Sequence, residues 1–417
     1  MLLRLMITLR PYQQEAMQAF ADKRGAMLLY ADTGTGKTFC ALEIIKKLIL
    51  KHGHKPILIL CPASIVKQWL DETVRYLGVL PVGLIITNYE KLLTDPDLRA
   101  TDWLFICADE CQYICMPTAK RSRAFHKLKT TYKLAMSATP APNHLAEFYS
   151  VVQWLSPNVW HRSFWQFKQR ECVLDYFGGI VGYRDEKRLR ALIAPLIHRV
   201  TKDVLTELPE LHTQTITIHT LPDWSAAYDD MRKTCRAEID GKRITIPNVV
   251  SLISRQRQFV DAPHLFGYGD SPKMGTLRKI LIDKKPTLIF VEHQETARIL
   301  SEKYSCPMIT GATPMKQRDK IVADFQDGKY DILVGTYTNA VGRNIQRATR
   351  VISYSQYWNP ARIDQSVGRS YRMGQQIEVE HITLIVKGTI DEKIAKLISQ
   401  KRIHESKFSR EEILSLL

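Results

Sequence analysis

The sequence has 417 residues, 45% of them hydrophobic and 24% charged, with 59 lysines and arginines against 43 aspartates and glutamates for a net charge of +16. That length predicts two or three domains, each able to bury a sizeable core, and the longest apolar runs, such as Pro56–Pro62, fall well short of the roughly 18 residues a membrane span needs. A pI near 9.4 points instead to a polyanionic partner, most simply nucleic acid, and no polybasic tail or amphipathic anchor suggests a membrane. Basic residues cluster at Lys120, Arg121, Arg123, Lys127 and Lys129, and again over 396–410.

The opening M-L-L-R-L-M-I-T-L-R is broken by Arg4 and Arg10 and lacks a small-residue cleavage site, so no signal peptide is expected. Eight cysteines without such a signal predict reduced thiols inside a cell. L-R-P-Y-Q at 9–13 opens the first helix. Gln13 carries both a donor and an acceptor, which suits the N6/N7 edge of adenine and equally suits an ordinary polar helix start.

Residues 1–145 alternate apolar strands with helical stretches. Ala26–Tyr30, Pro56–Leu60, Gly83–Ile86, Trp103–Cys107 and Lys133–Met136 read as buried strands, with helices over Thr38–Lys51 and Ile65–Leu77. This alternation predicts an α/β lobe with a parallel sheet covered on both faces. After the first strand stands A-D-T-G-T-G-K-T at 31–38, a phosphate-cradling P-loop in the strand-then-helix context it requires. Gly34 and Gly36 permit the turn that aims the amides of Thr33, Thr35 and their neighbours at phosphate oxygens. Lys37 is placed to reach the β- and γ-phosphates of ATP, and the Thr38 hydroxyl to ligate Mg²⁺.

Asp109 and Glu110 follow the strand W-L-F-I-C, where Asp109 suits a metal role and Glu110 orientation of the attacking water. Cys107, Cys111 and Cys115 recur every four residues, but no second pair at metal-ligand spacing accompanies them, and ordinary packing is expected.

Over 146–270 helical patterns dominate. Trp154, Trp160, Phe164, Trp165 and Phe167 read as the core of a helical insertion rather than a base-stacking platform. Prolines 209, 222, 247 and 263 and G-Y-G-D-S-P at 267–272 mark loops and a linker. Over 271–417 strand–helix alternation resumes, with strands expected at Thr287–Val291, Ile332–Gly335, Val351–Tyr354 and His381–Val386. In D-Q-S-V-G-R-S-Y-R-M-G-Q at 364–375, Arg369 and Arg372 are one helical turn apart, a spacing that places both on one helix face. More than three hundred residues separate them from the P-loop, which predicts two lobes closing on ATP.

The chain resembles helicase superfamily two, and within it the Swi/Snf family of double-stranded DNA translocases. The matching segments are L-R-P-Y-Q, the P-loop, C-P-A-S-I-V-K-Q-W at 61–69, T-N-Y-E at 87–90, D-E-C-Q at 109–112 and S-A-T-P at 137–140. L-I-A-P-L-I-H-R-V-T-K-D-V-L-T-E-L-P at 192–209 is similar to the stretch linking that family's helical insertions. In the second lobe S-P-K-M at 271–274, G-A-T-P-M-K-Q-R at 311–318 and Y-W-N-P-A-R-I-D-Q-S-V-G-R-S-Y-R-M-G-Q at 357–375 agree in order and spacing.

The resemblance implies two RecA-like lobes and a DNA-dependent ATPase that translocates on double-stranded DNA, ahead of single-stranded DNA or RNA, with room for a protein partner that targets the motor. It gives Gln365, Arg369 and Arg372 to the γ-phosphate and Gly342 to the nucleotide. It places Lys67, Trp69, Thr87, Asn88, Arg318, Thr336 and Trp358 along the DNA track. The compact length implies the cytoplasm of a bacterial or phage- or virus-infected cell, or the nucleus if the source is eukaryotic.

Three departures from the family pattern stand out. Cys111-Gln112 replaces Ala-His or Gly-His, Ser137-Ala138-Thr139-Pro140 replaces Gly-Thr-Pro, and Asn339-Ala340 replaces a glycine pair. The Ser-Ala-Thr form, common in strand-separating helicases, makes a DNA or RNA helicase the alternative, and a catalytically silent DNA-binding scaffold is the alternative of a different class.

Overall fold

The computed structural model describes residues 9–139, 145–157, 159–176, 178–205, 207–237, 246–338 and 344–404. The chain forms two compact units, Met1–Thr206 and Glu207–Leu417. Each is built around one six-stranded, wholly parallel sheet.

In the first unit the strands are β1 (Ala26–Ala31), β2 (Ile57–Cys61), β3 (Leu84–Asn88), β4 (Asp102–Asp109) and β5 (Lys129–Ser137), followed by a hairpin of β6 (Cys172–Leu174) and β7 (Ile180–Tyr183), then β8 (Ile197–Val200). The sheet order is β3-β2-β4-β5-β1-β8. Every residue of β2 and all of β4 after Asp102 is buried. Helices on both faces explain this: neither strand alternates because neither has a solvent side. The leading helices are α1 (Pro11–Asp22), α2 (Lys37–His52) and α3 (Val66–Leu77).

The second unit contains β9 (Leu211–Ile218), β10 (Thr287–Val291), β11 (Met308–Ile309), β12 (Ile332–Thr336), β13 (Arg350–Ser353) and β14 (Val379–Val386), in the order β11-β12-β10-β13-β14-β9. Among the described residues no helix is long and apolar enough to cross a membrane.

The strands expected from apolar runs form within a residue or two of their predicted ends, except β5, which starts four residues before Lys133. The segment 146–270, read as one helical insertion, is divided: its residues to Thr206 cluster with the first sheet and those from Glu207 with the second. It also supplies two edge strands that the helical reading passed over. β8 runs parallel to β1, pairing Leu28 with Ile197 through Ala31 with Val200, and β9 runs parallel to β14 along its whole length. Of the aromatic stripe, Trp154, Trp160 and Phe167 are core residues, while Trp165 is 69% exposed. Residues 405–410 of the second basic cluster lie outside the described residues.

The second unit is tied together by Lys273, which is 0% exposed. Its ammonium donates to Asp261 Oδ1, Asp391 Oδ2 and the Tyr354 carbonyl, each at 2.7 Å, so all three donors have acceptors. Burial pulls the ammonium's pKa down, but the facing carboxylates of Asp261 and Asp391 outweigh it and hold the group above its ordinary range. Asp261 Oδ2 in turn accepts from Ser355 at 2.6 Å. One cation thereby joins helices Ile246–Asp261 and Pro272–Ile280 to the end of β13 and the start of helix Ile390–His404. Lys273→Met keeps the apolar stem but strands two carboxylates in a dry pocket. The substitution should cost about 3–5 kcal/mol, read as a lower denaturant midpoint for the second unit. An unchanged midpoint would show that the lysine is not the tie.

Candidate nucleotide site

β1 delivers the chain to the loop 32–36 at the carboxyl edge of the first sheet, the edge where open α/β sheets bind ligands. Gly34 (φ +87°) and Gly36 (φ +77°) occupy the left-handed region, so the loop closes without the strain a side chain would bring. Gly36 is the N-cap of α2, and the unpaired first-turn amides of a helix form an anion-binding end. Lys37 Nζ donates to the carbonyls of Ala31 at 2.7 Å and Asp32 at 3.1 Å, folding back over its own loop. The Thr35 hydroxyl donates to the Asp32 carbonyl at 2.8 Å. Thr33 and Thr38 are half-buried beside them.

Gln13 is buried and engaged at both ends. Its Nε2 donates to the Thr35 carbonyl at 3.2 Å, beside Tyr12 OH at 3.1 Å, and its Oε1 accepts from the Arg10 amide at 3.0 Å. In this structure the amide braces the P-loop from α1.

Asp109 ends β4, in the same sheet edge. It is buried, and that burial, reinforced by the adjacent Glu110 charge, raises its pKa to about 7. Opposing this, Trp69 Nε1 donates to Oδ2 at 2.8 Å and the Glu110 amide to Oδ1 at 3.0 Å, with Lys37 a stabilising charge nearby. Tyr89 OH donates to the Asp109 carbonyl at 2.7 Å. Glu110 adopts φ +51°, ψ +55°, a left-handed conformation that costs a non-glycine residue of order 1 kcal/mol or more.

The Glu110 side chain is held by residues that depart from the family pattern. Gln112 Nε2 donates to Glu110 Oε2 at 2.7 Å, Ser137 Oγ donates to Gln112 Oε1 at 2.7 Å, and the Thr139 amide donates to Ser137 Oγ at 2.8 Å. Gln112 and Ser137 are thus halves of one contact that binds the end of β4 to the end of β5. Neither stands among the expected site residues; the signal is their joint departure from the family form.

Several sequence assignments change. Trp69 is 2% exposed and Thr336 1% exposed, so neither presents a surface to DNA in this structure. Trp69 instead holds Asp109, and Thr336 closes the buried end of β12. Lys67 is exposed in the first turn of α3, and Thr87 and Asn88 are half-buried at the end of β3, where Asn88 Oδ1 accepts from the Lys91 amide at 3.1 Å. Arg318 donates to the carbonyls of Thr313 at 2.7 Å and Thr310 at 2.8 Å, clamping its own loop. Trp358 is half-buried with the Arg257 guanidinium 5.2 Å from its ring centroid.

Arg369 and Arg372 do not share a helix. The helix Pro360–Val367 stops before Gly368, a poor helix former, and both arginines lie in the following turns. Gln375 stabilises that departure, its Nε2 donating to the carbonyls of Gln346 at 2.8 Å and Ser370 at 3.2 Å. Arg372 donates to Asn344 Oδ1, Arg369 is nearly buried, and Gln365 is buried on the helix. Gly342 and the pair Asn339-Ala340 lie outside the described residues.

The profile of the SNF2-related domain matches residues 79–265, that of the helicase conserved C-terminal domain 272–374, and that of the type III restriction enzyme res subunit 6–81. In these matches the chain is similar to the Swi/Snf family of superfamily two. Among its relatives is the putative ATP-dependent helicase/translocase YwqA of Bacillus subtilis, 27% identical over 95% of this chain and 48% of that protein. The mouse SWI/SNF-related matrix-associated actin-dependent regulator of chromatin subfamily A member 1 is 23% identical over 94% of this chain and 43% of its own length. The chain therefore spans about half the length of these Swi/Snf relatives. A solved Sulfolobus solfataricus SWI2/SNF2 ATPase core in complex with dsDNA is 27% identical, covering 97% of this chain and 93% of that one, with a TM-score of 0.47.

The raised pKa of Asp109 has a stability consequence with a definite sign. A carboxyl that holds its proton more tightly when folded adds stability at low pH and loses it as pH climbs from the unfolded value near 4 toward about 7. In nucleotide-free protein, the melting-temperature difference of Asp109→Asn over wild type should rise across that window. A difference flat in pH would contradict a desolvated Asp109.

Proposed function

We propose that the chain is a DNA-dependent ATPase that translocates on double-stranded DNA. The observation that carries this reading is the shared sheet edge of the first unit, where the P-loop, Asp109 and the Gln112-held Glu110 stand together. ATP is bound by the amides of residues 33–38, with Lys37 leaving the Ala31 and Asp32 carbonyls for the β- and γ-phosphates. Thr38 and Asp109 offer hard oxygen donors suited to Mg²⁺, and a carboxylate that burial drives toward protonation fits a site completed by a cation. Bound there, Mg²⁺ supplies neutralisation of phosphate charge.

Glu110 orients the attacking water, its carboxylate fixed through Gln112 and Ser137. Arg369 and Arg372, with Gln365, stabilise charge developing on the transferred phosphoryl. The net charge of +16 supports contacts to phosphate that do not depend on sequence, with exposed Lys67 among the donors. A second reading, strand separation, is favoured by the Ser137–Gln112 contact that the Ser-Ala-Thr form makes possible.

ATP turnover measured with duplex DNA, single-stranded DNA and RNA tests the proposal. Duplex DNA should stimulate most, with Glu110→Gln retaining ATP binding but turning over slower by about two orders of magnitude or more. Stimulation by single strands alone, with displacement of an annealed strand, would favour the helicase reading. Equal turnover with and without every nucleic acid would overturn both.

A further inference from the structure

The segment 192–209 lies far along the chain from the P-loop, yet its edge strand β8 grips the loop where it begins. Asp32, the first residue after β1, is held on three sides by it. The Asp32 amide donates to the Val200 carbonyl at 3.0 Å, its Oδ2 accepts from the Lys202 amide at 3.0 Å, and its Oδ1 accepts from the Arg199 guanidinium at 2.7 Å. The same guanidinium donates to the Tyr30 carbonyl at 3.3 Å and lies 3.8 Å over the Tyr30 ring. One planar group therefore stacks on Tyr30 near the end of β1 and pins Asp32 just beyond it, which suits an arginine and not a lysine. The Asp32 carbonyl is also the acceptor for Lys37 Nζ and for the Thr35 hydroxyl. Moving Asp32 moves the acceptors that set the resting position of the catalytic lysine.

We propose that Arg199 is a positioning residue for the P-loop. It makes the loop's geometry answer to β8, the last strand before the chain passes into the second unit after Thr206. The proposal rests on the P-loop as the nucleotide site. β8 is the point at which a shift of the connecting chain is felt by the nucleotide, through Asp32 rather than through any contact with the phosphates. A surface ion pair alone, at 39% exposure for Arg199, carries little stability. Geometry is its contribution, so its loss should appear in the loop and not in global stability.

Amide hydrogen exchange on the full chain, with binding of a fluorescent ATP analogue, tests this in Arg199→Ala and Arg199→Lys. In Arg199→Ala the amides of Thr33–Gly36 should exchange about five- to tenfold faster, with analogue affinity weakened by a similar factor, the scale of a well-ordered surface ion pair plus a stacked guanidinium. Amides of β1, β4 and β5 and the melting temperature should stay at wild-type values. Arg199→Lys, which keeps a charge for Asp32 but loses the stacked fork, should fall between. Unchanged loop exchange, or faster exchange spread evenly over the sheet, would overturn the positioning role. Failure of the wild-type protein to bind the analogue would instead refute the nucleotide site, leaving the exchange result to judge the clamp.

Discussion

A single buried acid sets the terms for the first unit. Asp109 sits at the end of a strand whose other residues are almost all apolar, and a charge there is tolerable only if donors converge on it. Trp69 reaches it from α3, the Glu110 amide from the chain itself, and Tyr89 secures the carbonyl behind it. These contacts fix α3 and the end of β3 against β4, which places the P-loop, two carboxylates and the Ser137 turn on one edge. The residual desolvation, which holds the Asp109 pKa near 7, is the feature that a cation would relieve.

Both sheets close with a strand contributed by the segment that joins the units. β8 completes the first sheet next to the P-loop strand, and β9 completes the second next to β14. The passage between units therefore runs from one sheet edge to another with few intervening residues. It gives the Asp32–Arg199 contact a position where local geometry and chain connection meet.

The legible parts of the sequence were those where chemistry or periodicity leaves little choice. Continuous apolar runs announced β2, β4 and β10, and the spacing of Gly34, Gly36 and Lys37 announced the loop. β9 was missed although L-H-T-Q-T-I-T-I is rich in β-branched residues, because its polar alternation suits an edge strand and was outweighed by the helices around it. Trp69 and Thr336 were given to the DNA track on resemblance alone; burial is a tertiary property that no local pattern reports. Arg369 and Arg372 have helical spacing, but Gly368 ends the helix first. Nothing in S-P-K-M singles out Lys273, and only the fold brings Asp261, Asp391 and the Tyr354 carbonyl around it.

The most direct test of the account is Trp69→Phe, which keeps an aromatic ring in the core but removes the N–H held by Asp109. Turnover of ATP at saturating DNA should fall, and the Mg²⁺ concentration needed for half-maximal rate should shift, while affinity for duplex DNA stays at the wild-type value. Normal turnover and Mg²⁺ dependence combined with weakened DNA binding would contradict the account and return Trp69 to the DNA surface.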